Sequence, residues 1–302
     1  MGSDDGEHKA LISALPDLVF VLTESGRYAA VLGGENNELY HEGQSLVGKT
    51  LSQVLPLDKA NWFLARIKQT LDSNRLMIFD YSLAGDEVDV INNDSGPGGA
   101  LRFEGRVNPL PNNRYGERAV IWVARNITER YQLEQQLIYH SETDPLCHIF
   151  NRRKLFETLD KAFYHYLRYQ DNYAFLLIDI DDFKLVNDTY GHQCGDNAIQ
   201  RIVQASQSIM RRSDTIGRLG GDEFAVVHKM TSPESAYLLA QRIKSTVSQL
   251  IVEPNLCTTP LSVSLGISQF NSQDHSVEQI YSRADIALYA SKQKGKNCTS
   301  SN

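Results

Sequence analysis

The sequence Arg218-Leu219-Gly220-Gly221-Asp222-Glu223-Phe224 lies between two short apolar segments within residues 215–229. Glycine pairs between strand-like segments are typical of β-hairpins, and glycines at the tip let the backbone approach a ligand closely. Two acids, Asp222 and Glu223, follow the glycines directly. An ordinary hairpin with solvated acids is the simpler interpretation, so these residues indicate chemistry only together with a second polar cluster.

A second acidic cluster follows an apolar strand at residues 177–184, which read Leu177-Ile178-Asp179-Ile180-Asp181-Asp182-Phe183-Lys184. A strand that runs directly into carboxylates places them at the end of a sheet, where they need solvent or a cation. Mg²⁺ suits such a site, because it takes few protein carboxylates and completes its shell with phosphate oxygens and water. A solvated turn is the alternative. Two acidic strand ends can, however, converge on the same metal ions, as in two-metal phosphoryl transfer.

Residues 126–302 alternate helical patterns with strand patterns. The spacing of apolar residues predicts helices over 153–169, 196–212, 234–251 and 277–292, and strands over 173–179 and 261–270 besides the hairpin at 215–229. We expect an α/β sandwich that is large enough for its own core.

Residues 1–125 show a different pattern, in which short predicted strands alternate with turn signals. Strands are predicted over 18–22, 28–32, 76–83 and 119–123, with a turn at 24–26, a helix over 60–71 and a loop at 92–99. The first two strands form a hairpin in this interpretation. We expect a small antiparallel sheet with one or two helices beside it.

A helix is predicted between these halves, over residues 126–141. Asn126 or Thr128 can cap it, and its apolar stripe consists of Ile127, Tyr131, Leu133, Leu137 and Ile138. One interpretation is an amphipathic linker folded back on its own domain. The other is a two-stranded coiled coil that joins two chains. Two heptads are too few for the pattern alone to decide.

Composition limits the class of protein. The chain has 302 residues, 41% of them hydrophobic and 22% charged, which is typical of about two globular domains. No apolar run approaches the ~18 residues of a membrane helix, and no signal-peptide pattern is visible. We therefore expect a soluble chain without a membrane segment of its own, and an upstream membrane segment in a longer parent stays open.

Cysteine usage and charge restrict compartment and partners. The four cysteines include no C-x-x-C pair, which favours a reducing cytoplasm over a disulfide framework or a structural zinc site. The net charge is −7, of which −5 falls in residues 1–125 and −2 in residues 126–302. Neither half is basic, so nucleic acid is a poor candidate partner.

The motifs of the second half together resemble the GGDEF family of diguanylate cyclases. The resemblance covers residues 141–298 and rests on three segments, namely the pentapeptide Gly220-Gly221-Asp222-Glu223-Phe224, the stretch from Asp179 through Asn187-Asp188 and Gly191-His192 to Gly195-Asp196, and the tail from Ala287-Leu288-Tyr289 through Lys292 to Gly295-Lys296-Asn297. The resemblance implies a palm-like sheet flanked by helices. It also implies that two GTP condense into cyclic di-GMP and two pyrophosphates across a homodimer.

The resemblance also assigns metal and catalytic roles. It implies that Asp179 and Asp222, with the backbone carbonyl of Ile180, hold Mg²⁺, with Mn²⁺ as a substitute. Asp222 is also the candidate base for the 3′-hydroxyl, and Glu223 is a further acid of the site. Lys184 would offset charge on the phosphates during transfer, which suits an ammonium group.

Substrate roles follow from the same resemblance. Asn187 and Asp196 would read the guanine edge, with His192 in the same site, while Lys292 and Lys296 would hold the triphosphate. From the residues alone, simpler interpretations exist. Asn187 and Asp196 are common turn and N-cap residues, and the lysines could form a solvated helix end.

A product-inhibition site is implied upstream of the hairpin. Arg211-Arg212-Ser213-Asp214 matches the R-x-x-D pattern of the family, so Arg211 and Asp214 would bind cyclic di-GMP, with Arg242 as a second-site arginine. The sequence departs from the family pattern at Cys147 and His148, where threonine and glycine are usual. Since histidine tolerates a positive φ better than most residues, we expect the turn there to be kept.

The first half resembles a PAS sensor domain more weakly, through the order of its elements, residues 15–17 and residues 124–130. Its ligand is unknown. No cysteine precedes Cys147, which excludes a flavin–cysteine adduct, and His41 is the sole histidine between residues 9 and 139 as a haem ligand. We therefore predict an α+β chain with a PAS-like antiparallel sheet domain (9–125), a linker helix (126–141) and a palm-like α/β sandwich domain (142–298).

The predicted function is a PAS-regulated, product-inhibited diguanylate cyclase that acts as a homodimer. One alternative is a catalytically weak receptor that binds GTP or cyclic di-GMP and signals through partners. Another palm-type nucleotidyl enzyme is a third interpretation, but the near-neutral second half disfavours a polymerase that binds a template.

Overall fold

The computed structural model describes residues 17–34, 36, 38–41, 43–88, 97–111, 113–250 and 261–302. The chain divides into two compact units, Met1–Gln136 and Leu137–Asn302. Each unit has its own apolar core. Residues 15–16, residues 92–96 of the predicted loop and Cys257 lie outside the described residues.

The first unit contains an antiparallel five-stranded sheet. Its strands, in the spatial order β2-β1-β5-β4-β3, are β1 (Leu18–Thr23), β2 (Tyr28–Gly33), β3 (Met77–Ala84), β4 (Ala100–Pro109) and β5 (Ala119–Asn126). The helices are α1 (Leu51–Val54) and α2 (Leu57–Ser73), with 3₁₀ turns at Gln44–Leu46 and Gly85–Glu87. The predicted hairpin, helix and later strands are confirmed.

The sequence pattern did not identify β4. Its inward side chains are Leu101, Phe103 and Val107, and they alternate with the charged residues at 102, 104 and 106. The period-2 signal of a half-buried strand is therefore present, but the charged residues lower the mean apolar content of the segment. Gly105 in this strand lies under Trp122, whose Nε1 would be 2.5 Å from a Cβ at that position.

The linker helix α3 spans Thr128–Glu142, and Asn126 Oδ1 accepts a hydrogen bond from the backbone N–H of Thr128 (2.9 Å). The helix buries none of its side chains. Leu133 and Leu137 are 52% and 69% exposed. At the start of the stripe, Ile127 is buried and the Arg102 guanidinium lies 5.3 Å from the ring centre of Tyr131, so the interpretation as a linker folded back on its own domain stays a prediction. The coiled coil stays a prediction.

The second unit is a five-stranded sheet with helices on both faces, which confirms the predicted sandwich. The spatial order is β10-β9-β6-β8-β7, formed by β6 (Tyr173–Ile180), β7 (Thr215–Gly220), β8 (Glu223–Lys229), β9 (Val263–Gln269) and β10 (Thr299–Ser301). The helices are α4 (Arg152–Tyr169), α5 (Phe183–Tyr190), α6 (His192–Ile209), α7 (Ser235–Ser248) and α8 (Val277–Gln293). Strand β6 is central and antiparallel to both β8 and β9. The antiparallel first sheet and this mixed unit agree with an α+β class.

The largest difference from the predicted helices of the second unit lies before and at the start of α6. The helix predicted over 196–212 is α6, which begins four residues earlier, and the short helix α5 before it was missed. Gly191, at φ 86, separates the two helices, and this left-handed conformation is one that glycine adopts readily. Within the described ranges, none of the helices combines the length and the apolar character that a membrane crossing requires.

Candidate active site

The two acidic strand ends converge at one edge of the second sheet. Strands β6 and β8 pair so that Asp179 lies opposite Glu223. The backbone N–H of Ile180 donates to the carbonyl of Asp222 at 3.3 Å. The hairpin turn and the end of β6 therefore bring Asp179, Asp222 and Glu223 together, as the sequence predicts.

Asp179 lies in an environment that disfavours its negative charge. Only 7% of the residue is exposed, and Lys292 Nζ lies 2.8 Å from its Oδ2. Burial raises the pKa of Asp179, the contact with Lys292 lowers it, and the nearby charges of Asp222 and Glu223 raise it, so the pKa lies above the usual range. A carboxylate held in this way gains stability when a cation binds beside it.

These residues suit a Mg²⁺ ion whose remaining ligands come from a phosphate substrate and water. In the described part of the chain, no three His, Cys, Asp or Glu side chains are grouped closely enough to hold a metal ion by themselves. Mg²⁺ is usually held by one or two carboxylates, with phosphate oxygens and water completing its shell. The oxygen donors of Asp179 and Asp222, with the adjoining backbone of Ile180, suit that pattern.

Arg218 holds the tip of the hairpin in place. Its Nε and NH2 groups donate to the carbonyl of Gly221 at 3.0 and 2.7 Å, and its NH1 donates to both carboxylate oxygens of Asp144 at 3.0 and 3.1 Å. Gly220 and Gly221 have φ values of 156° and 52°, and a Cβ on either would meet nothing within 4 Å. The outer side of the turn is therefore unobstructed, and the hydrogen bonds from Arg218 hold the turn on its inner side. The sequence pattern did not identify this role, because Asp144 is distant along the chain.

Asp144 in turn fixes the loop at the start of the second unit. It accepts hydrogen bonds from the backbone N–H groups of Leu146 and Cys147 (3.0 and 3.2 Å). Burial raises the pKa of Asp144, but the bonds from Cys147 and Arg218 lower it more, so it lies below its usual range. Burial also raises the pKa of the Cys147 thiol, to about 12. The loop keeps the expected turn, since His148 has a φ of 57°.

Asp181 anchors the C-terminal segment to the sheet. Its buried carboxylate accepts bonds from Ser262 Oγ (2.7 Å), Ser264 Oγ (2.7 Å) and the backbone N–H of Asn297 (2.9 Å). Lys296 and Asn297 both have positive φ values, a strained conformation for these residues, and the bond from Asp181 holds them there. No role for Asp181 followed from the sequence, where it is one acid among several.

The two predicted triphosphate lysines lie at the carboxylate edge. Lys292, in α8, pairs with Asp179, and Lys296 Nζ lies 2.5 Å from Asp182 Oδ1. The structure thus brings both lysines to the acidic strand end. Their charge is balanced by carboxylates here, so an incoming anion could exchange with those carboxylates.

The predicted guanine-reading residues lie on the α5–α6 helix pair. Asn187 Oδ1 is buried without a hydrogen-bond partner, and a Cβ on Gly195 would lie 1.9 Å from it. Gly195 thus makes room for the Asn187 side chain, and Asp196 follows it on the exposed side of α6. The turn and N-cap interpretations of Asn187 and Asp196 are wrong, since both residues lie within helices. His192, at the start of α6, and Lys184, in α5, are exposed.

Of the predicted inhibitory residues, Arg211 and Asp214 lie between α6 and β7, and Arg242 lies in α7. Arg242 in α7 donates to the carbonyl of Ile209 (2.9 Å), two residues before Arg211, so the two arginines belong to one surface region. Asp214 Oδ2 accepts from the backbone N–H of Arg211 (2.9 Å), and its Oδ1 lies 2.8 Å from His228 Nδ1. Its side chain is 1% exposed. Asp214 therefore shapes the turn that presents Arg211, and its direct contact with a product stays a prediction.

A buried Asp–His–Ser row extends from this turn. His228 Nε2 lies 3.2 Å from Ser235 Oγ, and Ser235 Oγ donates to the carbonyl of Ser232 (2.8 Å). His228 is 3% and Ser235 9% exposed. Because this row is buried, it stabilises the turn and offers no nucleophile to a substrate.

Residues 141–298 match the family model "Diguanylate cyclase, GGDEF domain". A diguanylate cyclase of Vibrio cholerae (strain O395) is 30% identical over 293 residues, which cover 96% of this chain and 87% of the relative. Diguanylate cyclase DgcM of Escherichia coli K12 is 30% identical over 183 residues, which cover 61% of this chain and 44% of the relative. The match with DgcM thus spans less than half of that relative.

Two solved structures are similar to the chain. The coiled coil and GGDEF domain of DgcB from Caulobacter crescentus, in complex with c-di-GMP, has a TM-score of 0.55 and 28% identity, and covers 58% of this chain and 93% of that chain. Diguanylate cyclase SiaD from Pseudomonas aeruginosa, in complex with its activator SiaC, has a TM-score of 0.53 and 31% identity, and covers 58% and 69%.

Proposed function

We propose, from the premise that this chain belongs to the GGDEF family of diguanylate cyclases, that it condenses two GTP into cyclic di-GMP and releases two pyrophosphates. The chain is a nucleotidyltransferase of that class. The observation that carries the substrate assignment is the convergence of Asp179, Asp222 and Glu223 at the same sheet edge as Lys292. Phosphoryl transfer needs both signs of charge at one place, to hold metal ions and to hold the triphosphate.

Asp179 and Asp222, with the carbonyl of Ile180, would hold Mg²⁺ or Mn²⁺, which neutralises charge on the phosphate oxygens when bound. Asp222 would accept the proton of the attacking 3′-hydroxyl, with Glu223 as a further acid beside it. Lys292 would exchange its contact with Asp179 for one with the triphosphate, as the carboxylate turns to the metal. This exchange keeps the buried Asp179 charge balanced in both states.

Substrate recognition would use the α5–α6 helix pair and the C-terminal segment. The unpartnered amide oxygen of Asn187 supports a role in hydrogen bonding to guanine, since buried polar atoms without partners are rare. Asp196 would accept from the guanine N–H groups, and His192 would border the base. Lys296 would contact the triphosphate, and Lys184 would offset charge that develops during transfer.

The reaction would take place between two copies of the chain. Each site holds one GTP in this proposal, and each 3′-hydroxyl must reach the other α-phosphorus. The exposed apolar side chains of Leu133, Leu137 and Ile138 support a homodimer through α3. The first unit would be a PAS-like sensor that shifts the population of productive arrangements, cyclic di-GMP would inhibit through Arg211, Asp214 and Arg242, and the GTP requirement is consistent with a cytoplasmic enzyme.

The test is product formation from GTP and Mg²⁺ by the purified chain, resolved by chromatography. The matched pair of variants is Asp222→Asn and Asp285→Asn, which make the same chemical change at the site and on the exposed face of α8. We expect cyclic di-GMP from the parent and from Asp285→Asn, and none from Asp222→Asn. A parent that makes no product but binds cyclic di-GMP tightly would instead support the receptor function.

A further inference from the structure

A cavity of about 80 Å³ lies inside the first unit, between its sheet and residues 40–63. We call it the sheet cavity and define it by Tyr28, Tyr40, Tyr81, Phe103 and Trp122, which all line it. Its volume is roughly half of the ~150 Å³ of an apolar cavity that takes up benzene, so a ligand seated here is small. The proposed reaction assigns it no role.

The lining of the sheet cavity is aromatic and apolar. Leucines from β1, β3 and β4 contribute to it, and among the described residues that line it none is Asp, Glu, Lys or Arg, with His41 as the one basic side chain. A charged ligand would lose its hydration here without gaining an ion pair, so the lining favours a neutral molecule. Leu83, Ala84 and Gly85 also line it and are partly exposed, so a ligand of one ring can extend toward the surface on that side.

One buried hydroxyl of the lining is available to a ligand. Tyr28 is 6% exposed, and its hydroxyl makes no hydrogen bond to any residue that the structure describes. The hydroxyl of Tyr81, in contrast, accepts from Trp122 Nε1 at 3.3 Å. Burial raises the pKa of Tyr28, so its hydroxyl keeps its proton and remains a donor. Because buried polar groups without partners are rare, this hydroxyl favours a ligand that carries a hydrogen-bond acceptor.

Tyr40 connects the wall of the sheet cavity to the start of α3. It is 2% exposed, and its ring stacks on Phe103 with centroids 6.3 Å apart. Its hydroxyl accepts from the backbone N–H of Asn126 (2.9 Å), and Asn126 Nδ2 donates to the carbonyl of Leu39 (2.7 Å). Asn126 Oδ1 in turn accepts from the N–H of Thr128, the first residue of α3. A molecule that contacts the Tyr40 ring is therefore two hydrogen bonds away from the first turn of α3.

Strand β4 makes a second connection between the cavity and α3. Leu101 and Phe103 line the cavity, and Arg102 lies between them on the other face of the strand. The backbone N–H of Arg102 donates to Thr128 Oγ1 (2.8 Å), and its guanidinium lies 5.3 Å from the ring centre of Tyr131. The cavity wall and the first turn of α3 are therefore joined at two places.

We propose that the sheet cavity binds a neutral one-ring molecule with one hydrogen-bond acceptor, and that Tyr40 passes the effect of binding to α3 through Asn126. The Tyr28 hydroxyl donates to the acceptor. A ring packed against Tyr40 restricts that side chain, strengthens its hydrogen bond with Asn126 and so slows local opening of the first turn of α3. The inference rests on the proposed function only in treating the first unit as a sensor, because neither binding nor the change in α3 requires GTP.

The first test is calorimetric titration of pyridine and of benzene into the full 302-residue chain at pH 8, where pyridine is neutral. The two probes have nearly the same size, and only pyridine carries an acceptor. We expect both to bind saturably. Tyr28→Phe removes one hydrogen bond, so it should raise the Kd of pyridine about 2-fold to 12-fold, which corresponds to about 0.5–1.5 kcal/mol, and leave the Kd of benzene within about twofold. Tyr115→Phe, which removes a tyrosine hydroxyl outside the cavity lining, is the matched control and should leave both Kd values unchanged.

The second test is amide hydrogen exchange in peptides within residues 126–136, with and without saturating benzene. Benzene should slow this exchange in the parent. Tyr40→Phe keeps the ring and removes the hydrogen bond to Asn126, so without ligand it should raise the exchange rate about 2-fold to 12-fold. It should also abolish the response to benzene, while its Kd for benzene stays within about twofold of the parent.

The outcomes separate this inference from the proposed function. The absence of saturable heat from both probes would overturn the cavity as a binding site, and an unchanged Kd of pyridine in Tyr28→Phe would overturn the acceptor contact. Benzene that binds the parent without changing exchange in residues 126–136 would overturn the route through Tyr40, even if the chain makes cyclic di-GMP from GTP. Benzene that slows exchange in the parent and not in Tyr40→Phe would support the inference even if GTP were not converted.

Discussion

Replacing Asp222 with asparagine should stabilise the fold while it abolishes cyclic di-GMP formation. Asp179, Asp222 and Glu223 lie together at the end of β6, and Lys292 is the one cation in contact with Asp179 among the described residues. The charges of Asp222 and Glu223 both act on Asp179, so these carboxylates repel one another in the absence of metal. Asparagine has nearly the same shape as aspartate, so the substitution removes a charge and little else.

The size of the effect follows from the spacing of the strands. Asp222 adjoins Glu223, which faces Asp179 in the β6–β8 pair, and facing Cα atoms in an antiparallel pair lie about 4.5–5.5 Å apart, so we take roughly 5 Å as the shortest separation of the Asp179 and Asp222 charges. Two unit charges at that distance repel by about 0.8 kcal/mol in water and about 3 kcal/mol at an effective dielectric constant of 20. Asp179 is buried but Asp222 is only partly so. We therefore expect the free energy of unfolding to rise by about 1 kcal/mol.

The same repulsion between carboxylates predicts how the free energy of unfolding depends on pH. Burial raises the pKa of Asp179, Lys292 lowers it, and the charge of Asp222 raises it again, with a net upward shift. The folded chain then holds this proton more tightly than the unfolded chain does, so this group makes stability fall as the pH rises from about 4 through the raised pKa. Without the charge at position 222 the pKa of Asp179 moves down, and the slope in that window should flatten.

The assay is urea unfolding of the parent, Asp222→Asn and the control Asp285→Asn between pH 4 and 8, in a chelator and in excess Mg²⁺. In the chelator, Asp222→Asn should be the most stable of the three near neutral pH, and its advantage should shrink toward pH 4. Mg²⁺ at ten times its Kd should stabilise the parent by about 1.4 kcal/mol and Asp222→Asn by less. An Asp222→Asn protein that is no more stable than the parent in the chelator would refute the proposed crowding of charge.

Further predictions concern other parts of the chain. Arg218→Ala removes charged hydrogen bonds to the hairpin tip and should lower the free energy of unfolding by about 2 kcal/mol and reduce product formation; parental values of both would contradict its role. Asp181→Asn should lower the free energy of unfolding in urea by about 2 kcal/mol and raise the KM for GTP, whereas an unchanged KM would show that Asp181 does not affect the lysines proposed to bind the triphosphate. Because the pKa of Cys147 is raised to about 12, its thiol should react with a disulfide reagent at pH 8 much more slowly in the folded chain than in the unfolded chain, and a Cys147→Ser protein that loses a fast-reacting thiol would show otherwise. If the chain pairs through α3 as proposed, Leu133→Glu combined with Leu137→Glu should lower the mass in light scattering from that of a dimer to that of a monomer and lower specific activity, and a fully active monomer would exclude pairing through α3.

Local patterns determined most of the elements and pointed to the candidate site. Apolar periodicity defined the helices and strands of the second unit, since a helix or strand facing a core must repeat its buried residues at its own period. Asp179 and Asp222 were recognisable from their places at strand ends, and the spacing of the motifs indicated the family. Sequence patterns did not identify strand β4 or helix α5, because the apolar residues of β4 alternate with charged residues and α5 is too short to show a period.

The tertiary structure alone decided which residues hold these elements together. Arg218 reaches Asp144 and Asp181 reaches Asn297 across long stretches of sequence, and neither pair leaves a periodic signal. It also decided that Asp214 faces His228, and that His148 lies against Tyr139 beside Arg211. Sequence patterns report which side chains share a face of one element. Contacts between elements depend on how those elements pack, and that is set by the fit of whole surfaces rather than by neighbouring residues in the chain.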